Sequence, residues 1–141
     1  MNSLTPEEVI ERDGLYIDYT VGDSMWPMLR NRRDVVVIKR NAGRLKKYDV
    51  PLYRRDTGKM VLHRVIKVRA KDYGMRGDNR IGIEYGVTDE QVIGVLEGFY
   101  RNGTYVNCED ARYLVYCYIW EKLYVIRWGV SKMKGLFRMK H

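Results

Sequence analysis

Apolar residues alternate with polar ones through the middle of the chain, in short runs that are separated by turn residues. β-Branched and aromatic residues dominate these runs, which predicts antiparallel strands. The expected strands cover residues 15–20, 35–39, 50–53, 60–68 and 91–100. Pro51 cannot donate a ladder hydrogen bond, so its strand is expected at a sheet edge or at a bulge. The pattern therefore predicts a mainly β (α+β) domain.

Helical spacing replaces this alternation at both ends of the chain. Thr5 is suited to cap a helix that begins at Pro6, with Glu8 completing a capping box and Gly14 ending it. From residue 111 onward, apolar side chains recur at steps of three and four, which predicts a C-terminal amphipathic helix. Its stripe comprises Ile119, Leu123, Ile126, Val130, Met133 and Phe137. We therefore divide the chain into a β domain, 1–110, and a basic amphipathic helical segment, 111–141.

Positive charge is concentrated in this C-terminal segment. The chain has 141 residues, enough for one core, and a net charge of +8. Seven basic residues stand against Glu121 alone in 111–141, so this segment carries +6 of that total. A basic, aromatic-rich terminal helix favours peripheral contact with an anionic membrane through residues 119–140, and no nucleic acid is expected. Packing of the stripe on the domain or on a second subunit is the alternative, and the oligomeric state is left open.

The cysteines and the lengths of the apolar runs limit the kinds of site and the cellular location that we expect. Cys108 and Cys117 lie nine residues apart with no second pair, so neither a disulfide framework nor a metal site is signalled, and no cofactor is expected. No run approaches the roughly 18 uncharged apolar residues of a spanning helix, and residues 1–11 do not resemble a secretory signal. We expect a cytoplasmic protein, including a peripheral position at the inner face of the membrane.

Three residues could together carry nucleophilic chemistry. Ser24 follows a predicted strand in a turn that ends at Pro27, and a serine hydroxyl needs a nearby base to attack a carbonyl. His63 lies in an alternating strand, and Asp78 lies in a Gly-Asp-Asn turn 15 residues later, from which it could orient the imidazole. Taken singly, each is more often a turn residue or a structural histidine.

The combination resembles the signal peptidase I-like family of serine peptidases. Six short segments follow in the family's order over about residues 15–100: Ser24-Met25-Trp26-Pro27, Arg33-Asp34-Val35-Val36-Val37, Tyr48-Asp49-Val50, Leu62-His63-Arg64-Val65-Ile66, Gly77-Asp78-Asn79 and Val92-Ile93-Gly94-Val95. The family's bacterial members use a lysine where this sequence has His63, so the chain resembles the histidine type. The resemblance implies a signal peptidase I-like antiparallel β-sheet or barrel fold.

The resemblance also implies an activity and a set of site residues. Ser24 would be the nucleophile, His63 the general base and Asp78 the acid that orients it. Backbone N–H groups of Gly22 and Ser24 would form the oxyanion hole, and Met25 and Pro27 would contact the substrate. That substrate would be an extended signal or leader peptide with small residues before the scissile bond. A base of this kind is expected to titrate near pH 6.5, or somewhat higher beside Asp78.

Two departures from the family pattern keep other functions open. Many members have a hydroxyl residue where this chain has Gly22, and the second acidic residue of the histidine type is replaced by Glu84 at best. These departures favour a degenerate, non-catalytic peptide-binding or membrane-associated module of the same fold. A regulatory domain like those of self-cleaving repressors is a further alternative, which the histidine and the lack of a helix-turn-helix before residue 15 disfavour.

Overall fold

The computed structural model describes residues 3–139, and the side chains of residues 3–136. Three helices occur in this range: α1 (Pro6–Asp13), α2 (Ala111–Lys122) and α3 (Tyr124–Met139). The strands of the same range are β1 (Leu15–Tyr19), β2 (Val35–Lys39), β3 (Pro51–Arg54), β4 (Met60–Leu62), β5 (Arg64–Val68), β6 (Tyr73–Arg76), β7 (Glu84–Val87), β8 (Val92–Arg101) and β9 (Thr104–Asn107). The predicted mainly β class is confirmed.

The N-terminal helix forms for the reason that its sequence predicts. The Thr5 hydroxyl accepts a hydrogen bond from the Glu8 backbone N–H at 3.2 Å, and the Glu8 carboxylate accepts one from the Thr5 N–H. Gly14 ends the helix in the left-handed conformation, φ 79°. Ile10 is its one buried side chain and packs in the main core. This helix therefore covers the larger sheet.

All the strand pairs are antiparallel, and they form two sheets. The larger sheet has the order β1-β2-β8-β3-β4, with β9 beside β8, and it curls into a half-barrel. The smaller sheet has the order β5-β6-β7. The predicted strand at residues 60–68 is split at His63, where the chain leaves the larger sheet and enters the smaller one. His63 therefore lies at the junction of the two sheets.

Two details of strand placement differ from the sequence prediction. β3 lies between β4 and β8, so of the two positions expected for Pro51 the sheet edge is wrong, whereas the irregular register with β8 fits a bulge. Pro51 is the first residue of β3, where a missing N–H is tolerated, and the register with β8 shifts just after Leu52. In addition, β6, β7 and β9 were not predicted: each has only four residues, and glycine and charged residues interrupt the patterns of β6 and β7.

The core divides into two clusters that correspond to the two sheets. One lies between the larger sheet and the helices and includes Leu29, Ile38, Phe99 and Tyr113. The other joins the smaller sheet to β3 and β4; its least exposed members are Tyr53, Val65, Tyr73 and Met75. The site described below lies where these clusters meet.

The C-terminal segment is two helices rather than the single helix that we predicted. The break falls at Leu123, between α2 and α3. Tyr113 and Cys117 are the buried residues of α2, so this helix is docked on the domain. Phe137, the last member of the predicted stripe, lies outside the side chains that the structure describes. None of the helices within residues 3–139 combines the length and apolar character needed to cross a bilayer.

Candidate active site

Ser24 is held on a turn by a second turn from the smaller sheet. Its carbonyl accepts a hydrogen bond from the Asn79 N–H at 2.9 Å. The Asn79 side-chain amide donates to the Asp23 carbonyl at 3.1 Å, and Arg80 pairs with the Asp23 carboxylate at 3.0 Å. Residues 79 and 80 thus fix the backbone on which the candidate nucleophile is carried.

Gly77 allows the Ser24 turn and the His63 ring to approach the same point. A Cβ atom at Gly77 would lie 2.5 Å from the Ser24 carbonyl oxygen and 3.2 Å from Cδ2 of His63. The first distance is far below van der Waals contact with a backbone atom, so no other residue fits without displacing the turn. The glycine of the Gly-Asp-Asn motif therefore brings the predicted nucleophile and base together.

Ser24 and His63 line a common cavity of about 250 Å³. Its other walls come from the residues on either side of Ser24, from β4 and from three basic side chains: Thr20, Val21, Gly22, Asp23, Met25, Met60, Val61, Leu62, Arg55, Lys59 and Arg80. Among residues 3–139, the Ser24 hydroxyl makes no hydrogen bond, and the one imidazole contact of His63 is with Tyr53. Catalytic hydrogen bonds are often long in unliganded enzymes and shorten when substrate binds.

The hydroxyl of Tyr53 determines which nitrogen of His63 is free. This hydroxyl donates its proton to the Glu84 carboxylate at 2.6 Å and lies 3.4 Å from Nδ1 of His63. Because that proton is already engaged, Tyr53 can only accept from Nδ1–H. This arrangement favours the neutral tautomer that carries its proton on Nδ1, in which the lone pair is on Nε2. Sequence reasoning missed Tyr53, although it noted Glu84.

Burial is the main influence on the charge state of His63. Burial, followed by the positive charge of Arg55, lowers the pKa of His63 to about 4, although the Glu84 carboxylate opposes this shift. Burial would raise the pKa of Glu84, but hydrogen bonds from Tyr53 and Arg55 outweigh it and lower that pKa. The expected titration near or above pH 6.5 is therefore corrected to a lower pKa: the imidazole is neutral at physiological pH, and the same shift makes it a weaker proton acceptor.

Asp78 does not take the orienting position that the resemblance implies. Its carboxylate binds the guanidinium of Arg64 in a bidentate pair, at 2.8 and 2.9 Å, and accepts from the Tyr116 hydroxyl at 2.7 Å. Both partners of the ion pair are almost completely buried. A buried guanidinium needs a carboxylate close by, and this requirement directs Asp78 toward Arg64 and away from the imidazole.

Arg64 is a structural residue that the sequence pattern did not identify. Alternation puts Arg64 on the opposite face from His63, where an arginine would ordinarily meet solvent. Here α2 and the loop that carries Tyr48 cover that face: the guanidinium donates to the Tyr48 carbonyl at 2.9 Å and to the Tyr113 hydroxyl of α2 at 3.0 Å. The position is therefore buried by tertiary packing.

The candidate oxyanion donors differ from the predicted pair. The Gly22 N–H donates to Oδ1 of Asn31 at 2.8 Å, so it is not directed into the cavity. The N–H groups of Ser24 and Met25 have no acceptor among residues 3–139. Of the predicted pair, the Gly22 N–H is therefore occupied and the Ser24 N–H is unpaired in this range, as is the neighbouring N–H of Met25.

The two predicted substrate contacts have different surroundings. Met25 lines the cavity and is otherwise buried in the core, at 3% exposure. Pro27 is outside the cavity lining, and its carbonyl accepts a hydrogen bond from Arg101 at 3.1 Å. Met25 is thus placed to form part of the cavity wall, whereas Pro27 shapes the turn behind it.

The C-terminal helices hold the Asp78 turn from the far side. The indole N–H of Trp120 donates to the Asp78 carbonyl at 2.8 Å, and the Arg127 guanidinium donates to the same oxygen at 2.6 Å. The Tyr124 hydroxyl donates to the Ile81 carbonyl at 2.5 Å. The helical segment therefore supports the turn that in turn holds Ser24.

The chain matches no protein-family model and no curated protein.

Proposed function

We propose that the chain is a serine endopeptidase of the signal peptidase I type. The observation that carries the proposal is that Ser24 and a neutral His63 line one cavity, with Nε2 of the imidazole left free by the contact with Tyr53. A hydroxyl and an unprotonated imidazole nitrogen facing one cavity are the minimum that nucleophilic acyl transfer requires.

Acylation would proceed by attack of the Ser24 oxygen on the scissile carbonyl carbon. The hydroxyl proton passes to Nε2 of His63 as the new C–O bond forms, which gives a tetrahedral oxyanion. Collapse of this intermediate breaks the C–N bond, and the imidazolium returns its proton to the leaving amine. The products of this step are an ester on Ser24 and the released C-terminal fragment.

Deacylation would repeat the sequence with water as the nucleophile. His63 takes a proton from water as the hydroxyl adds to the ester carbonyl, and it then returns that proton to the Ser24 oxygen as the ester C–O bond breaks. The free Ser24 hydroxyl is regenerated, and the N-terminal fragment is released as a carboxylic acid. In both steps the oxyanion would accept from the N–H groups of Ser24 and Met25.

The peptide would bind as an added strand between the two edges of the half-barrel. β1 and β4 are its terminal strands, so each has an unpaired edge that can hydrogen-bond an extended chain. A second cavity of about 160 Å³ shares Thr20, Val21, Met60 and Leu62 with the first. This second cavity would receive side chains that precede the scissile bond, where the resemblance implies small residues, as in signal or leader peptides.

Peptide cleavage by matched serine variants tests the proposal. A library of extended peptides with alanine at varied positions is incubated with the parent, Ser24→Ala, His63→Ala and Ser131→Ala. We expect cleavage by the parent and by Ser131→Ala, whose exposed serine lies on α3, and a loss of at least 1000-fold in kcat for Ser24→Ala. Equal cleavage by the parent and Ser24→Ala would refute the assignment.

A non-catalytic peptide-binding module is the second candidate. The engagement of the Gly22 N–H with Asn31 favours it, because the oxyanion hole then lacks one donor that the resemblance implies. The two candidates share the proposed strand-like binding and differ in turnover. Saturable binding of library peptides by both the parent and Ser24→Ala, with no cleavage by either, would favour the module.

A further inference from the structure

The side of α3 that faces away from the domain is apolar, and no other described part of the domain covers it. Val125, Ile126, Val130, Met133 and Leu136 are all exposed, from 46% to 70%. Since successive helical residues advance by about 100°, these five side chains fall on one side of α3. The alternative that this stripe packs on the domain is therefore wrong for Ile126, Val130 and Met133.

The opposite, more polar side of α3 is the one that faces the domain. Tyr124 and Arg127 are partly buried and bind the turn at residues 78–81. The Arg76 guanidinium also lies 3.7 Å from the centre of the Tyr124 ring. A surface helix ordinarily buries its apolar stripe and exposes its polar side, and α3 has the reverse orientation. Its apolar stripe is uncovered among residues 3–136.

The charges around this stripe indicate what would cover it. Lys132 and Lys134 flank it on its two sides, and the Lys132 ammonium lies 4.7 Å from the centre of the Trp128 ring. α3 has no acidic residue, and the one acid of α2, Glu121, is already paired with Lys47 at 2.9 Å. An apolar stripe with a lysine on either side matches the boundary between anionic headgroups and acyl chains.

We infer that α3 docks on an anionic lipid surface, with Val125, Ile126, Val130, Met133 and Leu136 among the acyl chains and Lys132 and Lys134 at the phosphates. The contacts of Tyr124 and Arg127 keep the domain attached to the polar side of the docked helix. This inference is independent of the proposed peptidase activity, since it uses no residue of the cavity.

Vesicle flotation of the full chain tests the inference. The probe is a vesicle of phosphatidylcholine with about one-third phosphatidylglycerol, compared with phosphatidylcholine alone at the same salt. We expect the protein to float with the anionic vesicles and to bind the neutral ones at least tenfold more weakly. Binding to the anionic vesicles should weaken as salt is raised, because the lysine contribution is screened.

Two pairs of variants separate the apolar and the ionic contributions. Lys132→Gln with Lys134→Gln should weaken anionic binding about 25-fold, about fivefold for each lysine, whereas Lys67→Gln with Lys71→Gln has the same net charge and should bind like the parent. Val130→Asn should weaken binding about tenfold, and Val68→Asn, which changes a side chain of similar exposure, should not. Circular dichroism establishes that each variant is folded.

Three results would overturn the inference. One is equal binding to both vesicle types, and another is parent-like binding by Val130→Asn or by the Lys132 and Lys134 double variant. The third is a stable dimer in analytical ultracentrifugation with no vesicle binding, which would mean that a second copy of the chain covers the stripe.

Discussion

The ionisation of His63 predicts how the stability of the protein changes with pH. Burial, assisted by the charge of Arg55, lowers the pKa of His63 to about 4 in the folded state, whereas the unfolded value is near 6.5. Between these values the unfolded chain binds more protons than the folded one. Stability is therefore fully present above pH 6.5 and is lost as the pH falls toward 4.

The size of this effect follows from the two pKa values. A difference of roughly 2.5 pKa units corresponds to about 3 kcal/mol of unfolding free energy across the whole window. Between pH 7 and pH 4.5, the part that belongs to His63 is about 2 kcal/mol. Other groups also titrate in this range, so the contribution of His63 has to be isolated by comparison with a variant.

Urea unfolding of three proteins isolates the contribution. The parent, His63→Gln and His141→Gln are unfolded at pH 7 and at pH 4.5. We expect His63→Gln to be less stable than the parent at pH 7 but to lose about 2 kcal/mol less between the two pH values. His141→Gln changes the chain's other histidine and should follow the parent.

An equal loss of stability in the parent and in His63→Gln would refute the reasoning. NMR titration of the single remaining imidazole in His141→Gln provides a direct check that does not depend on unfolding. The expected midpoint is about pH 4, and a midpoint at or above pH 6 would show that burial does not lower the pKa of this imidazole.

Three further predictions concern the surroundings of the cavity. Asp78→Asn should lower the unfolding free energy by about 3–5 kcal/mol, because it leaves the buried Arg64 without its carboxylate, whereas a change at the exposed Asp23, Asp23→Asn, should cost less than about 1 kcal/mol. Similar urea midpoints for the two variants would contradict this difference. Gly77→Ala should lower stability by about 1–3 kcal/mol and peptidase kcat by at least tenfold, because its Cβ would press on the Ser24 carbonyl. Gly82→Ala, where the space is open, should behave like the parent in both assays, and a fully active, stable Gly77→Ala would contradict the close approach. The kcat/KM of peptide cleavage should still be about 90% of its plateau at pH 5, because the pKa of His63 is lowered to about 4. A base with a pKa of 6.5 would retain only about 3%, so a steep fall between pH 7 and pH 5 would contradict the lowered pKa.

Local sequence features predicted those parts of the fold that depend on nearby residues. The Thr5 cap, the Pro6 start and the Gly14 end of α1 are confirmed, because capping involves residues only three or four positions apart. The strand at 35–39 is confirmed at both ends for a similar reason, since a continuous Val and Ile run is bounded by charged residues. Such features need no knowledge of the tertiary contacts.

Residues whose role depends on distant partners were not predictable in this way. His63 and Arg64 are neighbours in sequence, yet each is buried by a different part of the chain: β3 contributes Tyr53 to one, and α2 contributes Tyr113 to the other. Asp78 was expected beside the imidazole and binds Arg64 instead. Ser24 and His63 line one cavity, as the order of motifs predicted, but the partner of Asp78 was not predictable in this way.

The C-terminal stripe shows the same limit for a helix. Its spacing correctly predicted an apolar side, but spacing does not determine whether that side faces the domain or solvent. The outward direction of Ile126 and Met133 follows from the contacts that Tyr124 and Arg127 make with the turn at residues 78–81. The break at Leu123 likewise has no proline or glycine that would mark it in the sequence.

Covalent labelling of Ser24 tests the central claim most directly. The parent is treated with a fluorophosphonate, which reacts with activated serines, and the adduct is located by peptide mass spectrometry. We expect one adduct, on Ser24, that forms at least 100-fold more slowly in His63→Ala and is absent after unfolding in urea. An unlabelled Ser24, or labelling of Ser24 at the same rate in the parent and in His63→Ala, would show that the cavity holds no activated nucleophile.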